Sequence, residues 1–138
     1  MARSVFVDTS AWYALIDRRE ASHETTSGLV SRLVADGIRL VSTDYVLDES
    51  YTLARARSGT EAAFALLDMI EGTSALDIEW IDSERFDRAV ALFRRYHDQT
   101  FSFTDCTSFA VMRERSLTDA ITRDQHFRIA GFNLLPQS

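Results

Sequence analysis

The chain has 138 residues, enough for one domain with a proper core, and a formal net charge of −6. That charge argues against holding nucleic acid by bulk electrostatics, and the absence of lysine, all 15 basic residues being arginine, excludes any mechanism that needs a catalytic lysine. A single cysteine, Cys106, excludes an internal disulfide and a cysteine-based zinc site. No apolar run approaches the ~20 residues that span a bilayer, and Met1-Ala2-Arg3 leads straight into a short strand with no long apolar leader. The expected setting is therefore cytoplasmic, without membrane contact.

In chain order, Ser4–Val7 reads as a buried parallel strand, because its apolar residues run continuously instead of alternating. A helix of about Thr9–Asp17 follows. A polar turn then leads to a second helix, about His23–Asp36, which Gly37 ends. Arg39–Ser42 reads as the second strand, and Thr43 caps a helix of about Asp44–Arg57. Thr60 is placed to cap a further helix to Glu71. Ala75–Ile81 alternates as an edge strand does, with Leu76, Ile78 and Trp80 on its apolar face, so Trp80, like Trp12, is expected in the core. Helices of about Ser83–His97 and Thr104–Arg115 come next, with apolar residues at helical spacing in the first. Ala120–Thr122 is a short strand, Asp124–Ile129 a helical turn, and Phe132–Leu135 the last strand. Five strands separated by helices imply a doubly wound parallel sheet in an α/β domain covering residues 1–138.

Open sheets of this kind place ligands at the carboxyl ends of their strands. Asp8 ends the first strand. Glu49 lies under two helical turns beyond the second, on a stripe with Tyr45, Val46, Leu53 and Ala56, where an acid is unusual unless it is paired with an arginine or belongs to a site. Asp48 points elsewhere, onto a solvated face. Asp105 opens the helix near Thr104, either as the acid of a Ser102-x-x-Asp105 capping box or as a site residue on the inward face. Asp124 follows the strand Ala120–Thr122 as Asp8 follows the first, and is otherwise a helix cap. Asp119 precedes its strand and belongs to the opposite edge.

Asp8, Glu49, Asp105 and Asp124 are thus expected at one sheet edge. Carboxylates gathered there repel one another unless a cation meets them. Hard divalent ions such as Mg²⁺ or Mn²⁺ take such oxygen ligands and assist phosphodiester hydrolysis. Arg123, Arg128, Arg94 and Arg95 could offer bidentate phosphate contacts; Arg123 is the strongest of these as a substrate-binding residue. His23, His97 and His126 are too scattered in sequence to suggest a metal cluster, and Phe101 and Phe103 read as core rather than as stacking platforms.

With these residues in view, the sequence resembles the PIN-domain family, and within it the VapC-type toxin ribonucleases. The likeness is carried by Val5-Phe6-Val7-Asp8-Thr9-Ser10, by Thr43–Glu49, by Phe103-Thr104-Asp105-Cys106 and by the T-x-D-x-x-F segment Thr122–Phe127, in order along nearly the whole chain. The resemblance implies a PIN-like three-layer α/β/α sandwich with a five-stranded parallel sheet. It implies a Mg²⁺- or Mn²⁺-dependent endoribonuclease leaving 5′-phosphate and 3′-hydroxyl ends, a homodimer, and a cognate antitoxin that blocks the acidic pocket. Asp8, Glu49 and Asp105 would be direct or water-bridged metal ligands, with Asp124 the most variable of the four. Thr9, Ser10 and Thr122 would support a carboxylate or bound water. Cys106 reads as a small buried side chain. The alternatives are a PIN nuclease in RNA processing outside a toxin–antitoxin pair, or a non-catalytic interaction module of the same fold. A haloacid-dehalogenase-type phosphatase would need an acid at Ser10 and a lysine, and a receiver domain would need a lysine too.

Overall fold

A computed structural model describes residues 3–137; the expectation that Met1 and Ala2 lead directly into the first strand lies outside them. The elements run β1 (Ser4–Val7), α1 (Thr9–Ile16), α2 (His23–Ala35), β2 (Arg39–Thr43), α3 (Asp44–Ser58) and α4 (Thr60–Glu71). They continue through β3 (Leu76–Glu79), α5 (Ser83–Arg95), α6 (Phe103–Glu114), β4 (Asp119–Ile121), α7 (Gln125–Ile129) and β5 (Asn133–Leu135). The five strands form one sheet in the order β3-β2-β1-β4-β5, and every pairing is parallel.

This order creates the site. The chain winds outward from β1 through β2 to β3, then crosses to β4 on the other side of β1 and ends on β5. The winding reverses between β1 and β4, which opens a crevice at their carboxyl ends. Val7 pairs with Ile121, so the next residues, Asp8 and Thr122, emerge side by side. The backbone N–H of Asp8 extends the ladder by donating to the Ile121 carbonyl, 3.1 Å away.

β1 is fully buried at Val5, Phe6 and Val7, as its continuous apolar run predicts. The helices pack in two groups: α1 against α2, α3 and α4, and α5 against α6, with α7 against α6 and β5. Phe109 ties the second group together, its ring 5.2 Å from Phe101, 5.0 Å from Phe127 and 5.7 Å from Phe132. Phe6 meets Phe127 from the sheet at 6.2 Å. Truncating a buried phenylalanine such as Phe6 to alanine costs about 3–5 kcal/mol. Cys106 is a fully buried small side chain, and burial pushes its thiol up to about 11.

Two local expectations need correction. Trp80 is not core: it lies beyond the end of β3 and is 66% exposed, whereas Trp12 is buried. The alternation that placed Trp80 inside continues past the last residue that β2 can pair, since β2 ends at Thr43 opposite Glu79. The cap of α4 is Gly59, not Thr60. Gly59 has a positive φ of 94° and joins α3 to α4 at a single residue, a turn that a side chain would strain. Thr43 caps α3 as expected, accepting from the Val46 N–H at 3.0 Å.

Candidate active site

Asp8 sits at the junction of β1 and α1, 6% exposed. Its carboxylate is held by the Thr122 hydroxyl, which donates to Oδ2 at 2.9 Å. Thr122 Oγ1 in turn accepts the Asp124 N–H at 3.0 Å and lies 3.2 Å from Ser10 Oγ. Ser10 Oγ accepts the Arg123 N–H at 2.9 Å. The hydroxyls of Ser10 and Thr122 therefore bolt the start of α1 to the segment after β4, with Asp8 as the terminal acceptor. Thr9 differs: its hydroxyl is buried with no hydrogen-bond partner among the described residues.

Asp105 enters from the start of α6. It forms a capping box with Ser102: Asp105 N donates to Ser102 Oγ at 2.9 Å, and Ser102 N donates to Asp105 Oδ2 at 3.0 Å. Asp124 caps α7 through the His126 N–H, 2.9 Å from Oδ1. Both acids were expected to be either caps or site residues, and each is a cap that also faces the crevice. In each acid the capping oxygen, Asp105 Oδ2 and Asp124 Oδ1, also faces His126 Nδ1, since a carboxylate oxygen can accept at more than one lone pair.

Burial and mutual repulsion mark the group. Loss of hydration raises the Asp8 pKa to about 7, with the charges of Asp105 and Asp124 pushing the same way against its hydrogen bonds. Asp105 is likewise raised, first by burial and then by Asp124, with Ser102 and His126 opposing. Two acids whose charged forms are disfavoured, with the Asp124 carboxylate adding its charge to both, form an arrangement that a cation would relieve.

His126, read from the sequence as an isolated histidine, belongs to this cluster. Its Nδ1 lies 3.0 Å from Asp105 Oδ2 and 3.3 Å from Asp124 Oδ1. Asp105, Asp124 and His126 each present a donor atom within 4.8 Å of the other two. A search for histidine–histidine spacing misses it. The usable signal is Asp124-x-His126, because a cap residue and the residue two positions later share one end of a short helix.

Glu49 is placed differently from the expectation. It is exposed rather than turned toward the core, as is Asp48, and neither makes a hydrogen bond or ion pair among the described residues. Of the residues on its stripe Val46 is fully buried, Tyr45 and Leu53 are half-buried and Ala56 is exposed, so the stripe straddles the boundary and Glu49 lies on its outer side. The Tyr45 ring, one turn before Glu49, lies 6.4 Å from that of Phe103 at the start of α6. Arg123 projects from the rim with a 55% exposed side chain, 3.7 Å from Glu20. Arg94, Arg95 and Arg128 are exposed, while Phe101 is buried and touches the His126 ring edge-on at 5.2 Å.

The PIN domain model matches residues 5–133. The chain is 36% identical over 129 residues to the 23S rRNA-specific endonuclease VapC20 of Mycobacterium tuberculosis (strain ATCC 25618 / H37Rv), covering 93% of this chain and 95% of that protein. The crystal structure of Mycobacterium tuberculosis VapC20, a sarcin-ricin loop cleaving toxin, superposes with a TM-score of 0.82 at 34% identity over 93% of this chain and 95% of that one. VapBC2 from Rickettsia felis, bound to a DNA fragment from their promoter, shares the fold with a TM-score of 0.66 at 15% identity, over 95% and 96% of the two chains.

Proposed function

Because the chain belongs to the PIN-domain family as a homologue of VapC-type endoribonucleases, we propose that its acidic crevice holds Mg²⁺ or Mn²⁺ and hydrolyses RNA phosphodiester bonds. The observation that carries the metal is the convergence of Asp8, Asp105 and Asp124, with Asp8 held near pH 7 by burial and by its two neighbours. The donor set fits a hard divalent ion: carboxylate oxygens, a nearby imidazole, and an unpartnered buried hydroxyl on Thr9 beside Asp8. Asp8, Asp105 and Asp124 would hold the ion. When bound, such an ion stabilises negative charge on a phosphoryl oxygen and lowers the pKa of water.

The chain's own groups then have distinct work. Thr122 fixes the Asp8 carboxylate, and Ser10 fixes Thr122. Ser102 fixes Asp105. Glu49 lies four residues beyond Tyr45 and so on the same helical face, and the contact of Tyr45 with Phe103, two residues before Asp105, supports a role for it at the crevice. There it would orient water or complete the ion's shell. Arg123, at the rim with a half-exposed side chain, would grip a flanking phosphate.

The substrate class proposed is a structured ribosomal RNA loop, on the strength of the relative's 23S rRNA specificity. The chain is proposed to act as a homodimer and to be silenced by a cognate antitoxin that covers the acidic pocket. The deciding experiment is cleavage of total RNA and of 23S rRNA fragments with Mg²⁺, Mn²⁺ or EDTA, using wild type and Asp8→Asn. Cleavage should need both the metal and Asp8. Equal cleavage in EDTA, or by Asp8→Asn, would overturn the mechanism.

A further inference from the structure

The His126 ring stands where a ligand would stand. Its Nδ1 is 3.0 Å from Asp105 Oδ2 and 3.3 Å from Asp124 Oδ1. Two donors about 2.1 Å from an octahedral ion and at right angles to each other are separated by about 3 Å. The imidazole nitrogen thus already keeps the spacing from both oxygens that a shared ion would require.

The other side of the ring is arranged to match. Nε2 lies 3.2 Å from Thr100 Oγ1. Ligating histidines commonly donate their second N–H to such an oxygen, which fixes the tautomer and aims the free lone pair at the metal. The ring plane is fixed as well, by the edge-on contact with Phe101. Without an ion, Nδ1 is in hydrogen-bond contact with Asp105 Oδ2; with Nε2–H donated to Thr100, the Nδ1 lone pair is instead free to meet an ion shared with the two carboxylates.

Resting on the metal-site reading above, we propose that His126 Nδ1 is a metal ligand, which makes this centre a mixed nitrogen–oxygen site. An imidazole in the shell favours first-row transition ions over Mg²⁺, which prefers an all-oxygen shell. The centre should therefore select Mn²⁺ over Mg²⁺, with Thr100 as the positioning residue for the imidazole.

The test is pulsed electron paramagnetic resonance of Mn²⁺ bound to the whole protein without RNA. Wild type should show modulation from a directly bound ¹⁴N nucleus, and histidine-selective ¹⁵N labelling should replace it with the ¹⁵N pattern. His126→Phe, which keeps a ring against Phe101, should abolish the modulation. Calorimetric titration should show Mn²⁺ affinity falling about 10-fold or more in His126→Phe and in Thr100→Val, with Mg²⁺ affinity changed much less. Mn²⁺ that binds and supports cleavage without nitrogen modulation, or with modulation that survives His126→Phe, would overturn the ligand assignment alone. Failure of wild type to bind Mn²⁺ saturably would instead remove the metal site itself. If His126→Phe does not fold, labelled His23→Gln and His97→Gln proteins decide the question: the ¹⁵N pattern should survive in both, and its loss in either would overturn the assignment to His126.

Discussion

Thr122 reaches across from the end of β4 to hold Asp8 at the end of β1, its hydroxyl donating to Oδ2 over 2.9 Å in a buried setting. This bond closes the crevice where the sheet changes winding direction, and it fixes one face of the central acid. The same hydroxyl accepts the Asp124 N–H, so a single side chain sets two of the acids at once.

Thr122→Val should therefore lower RNA cleavage without unfolding the protein. A hydrogen bond to a charged group contributes about 1.5–3 kcal/mol, which corresponds to a loss of roughly 10- to 100-fold if it is felt in the transition state. Thr122→Ser, which keeps the hydroxyl, should retain most activity. Initial rates with a fixed rRNA fragment, beside thermal melts of each variant, check this. Valine activity equal to wild type would mean that Asp8 needs no such support.

Metal and pH should act on stability through Asp8. Its folded pKa, about 7, lies above the ordinary aspartate value of 3.8. The folded state thus holds a proton that the unfolded chain has released between those limits. Stability without metal should fall as pH rises from about 4 to about 7, by an amount on the order of a few kcal/mol, and level off above. Urea melts in EDTA across that range should show the slope, and Asp8→Asn should flatten it. Adding Mg²⁺ or Mn²⁺ at pH 7.5 should raise the melting temperature of wild type more than that of Asp8→Asn. A wild-type curve indifferent to pH and to metal would remove Asp8 from a cation site.

Glu49 and Asp48 offer a sharper comparison, because both are exposed neighbours on α3. Exposed substitutions of this kind change stability by less than about 0.5 kcal/mol, so any difference in cleavage is functional. Glu49→Gln should reduce cleavage about 10- to 100-fold, the usual effect of losing an outer-shell partner of a metal. Asp48→Asn should be nearly silent. A reversed pattern would show that the other face of α3 addresses the crevice.

The strand pattern was legible because β1 and its neighbours are buried on both faces, and the four acid-bearing segments could be ordered from their positions after strands. Asp8, Asp105 and Asp124 converge as that ordering implies. Two features were not legible. Trp80 alternates in phase with Leu76 and Ile78, yet the sheet ends before it, and sequence periodicity carries no mark of where a partner strand stops. His126 joins the acids because α7 is short and its cap doubles as a site residue. In sequence, capping and membership of the acidic cluster look like rivals; in three dimensions Asp105 and Asp124 each do both.

With no lysine in the chain, arginine has to fill the structural ion pairs and the proposed RNA contact alike, and the two roles should separate experimentally. Arg85 lies between Glu79, 2.8 Å away, and Glu114, with its own side chain only 16% exposed. Glu114, held mainly by Arg85 and also by Arg88, is lowered to about 2. This pairing stabilises the fold above the ordinary glutamate range and is lost as pH falls toward 2, opposite in sign to the contribution of Asp8. Arg85→Met should leave Glu79 to Arg115 alone and Glu114 to Arg88 alone, cost about 1 kcal/mol, and lower the melting temperature by a few degrees. At temperatures well below that melt, its cleavage rate should match wild type. Arg123→Met should do the reverse: Arg123 has only a 3.7 Å contact to Glu20, so the melt should hardly move while the KM for RNA rises and its salt dependence weakens. Parallel melts and salt-series kinetics on the two variants check both, and a destabilised Arg123→Met protein with unchanged KM would take Arg123 out of the RNA-binding rim.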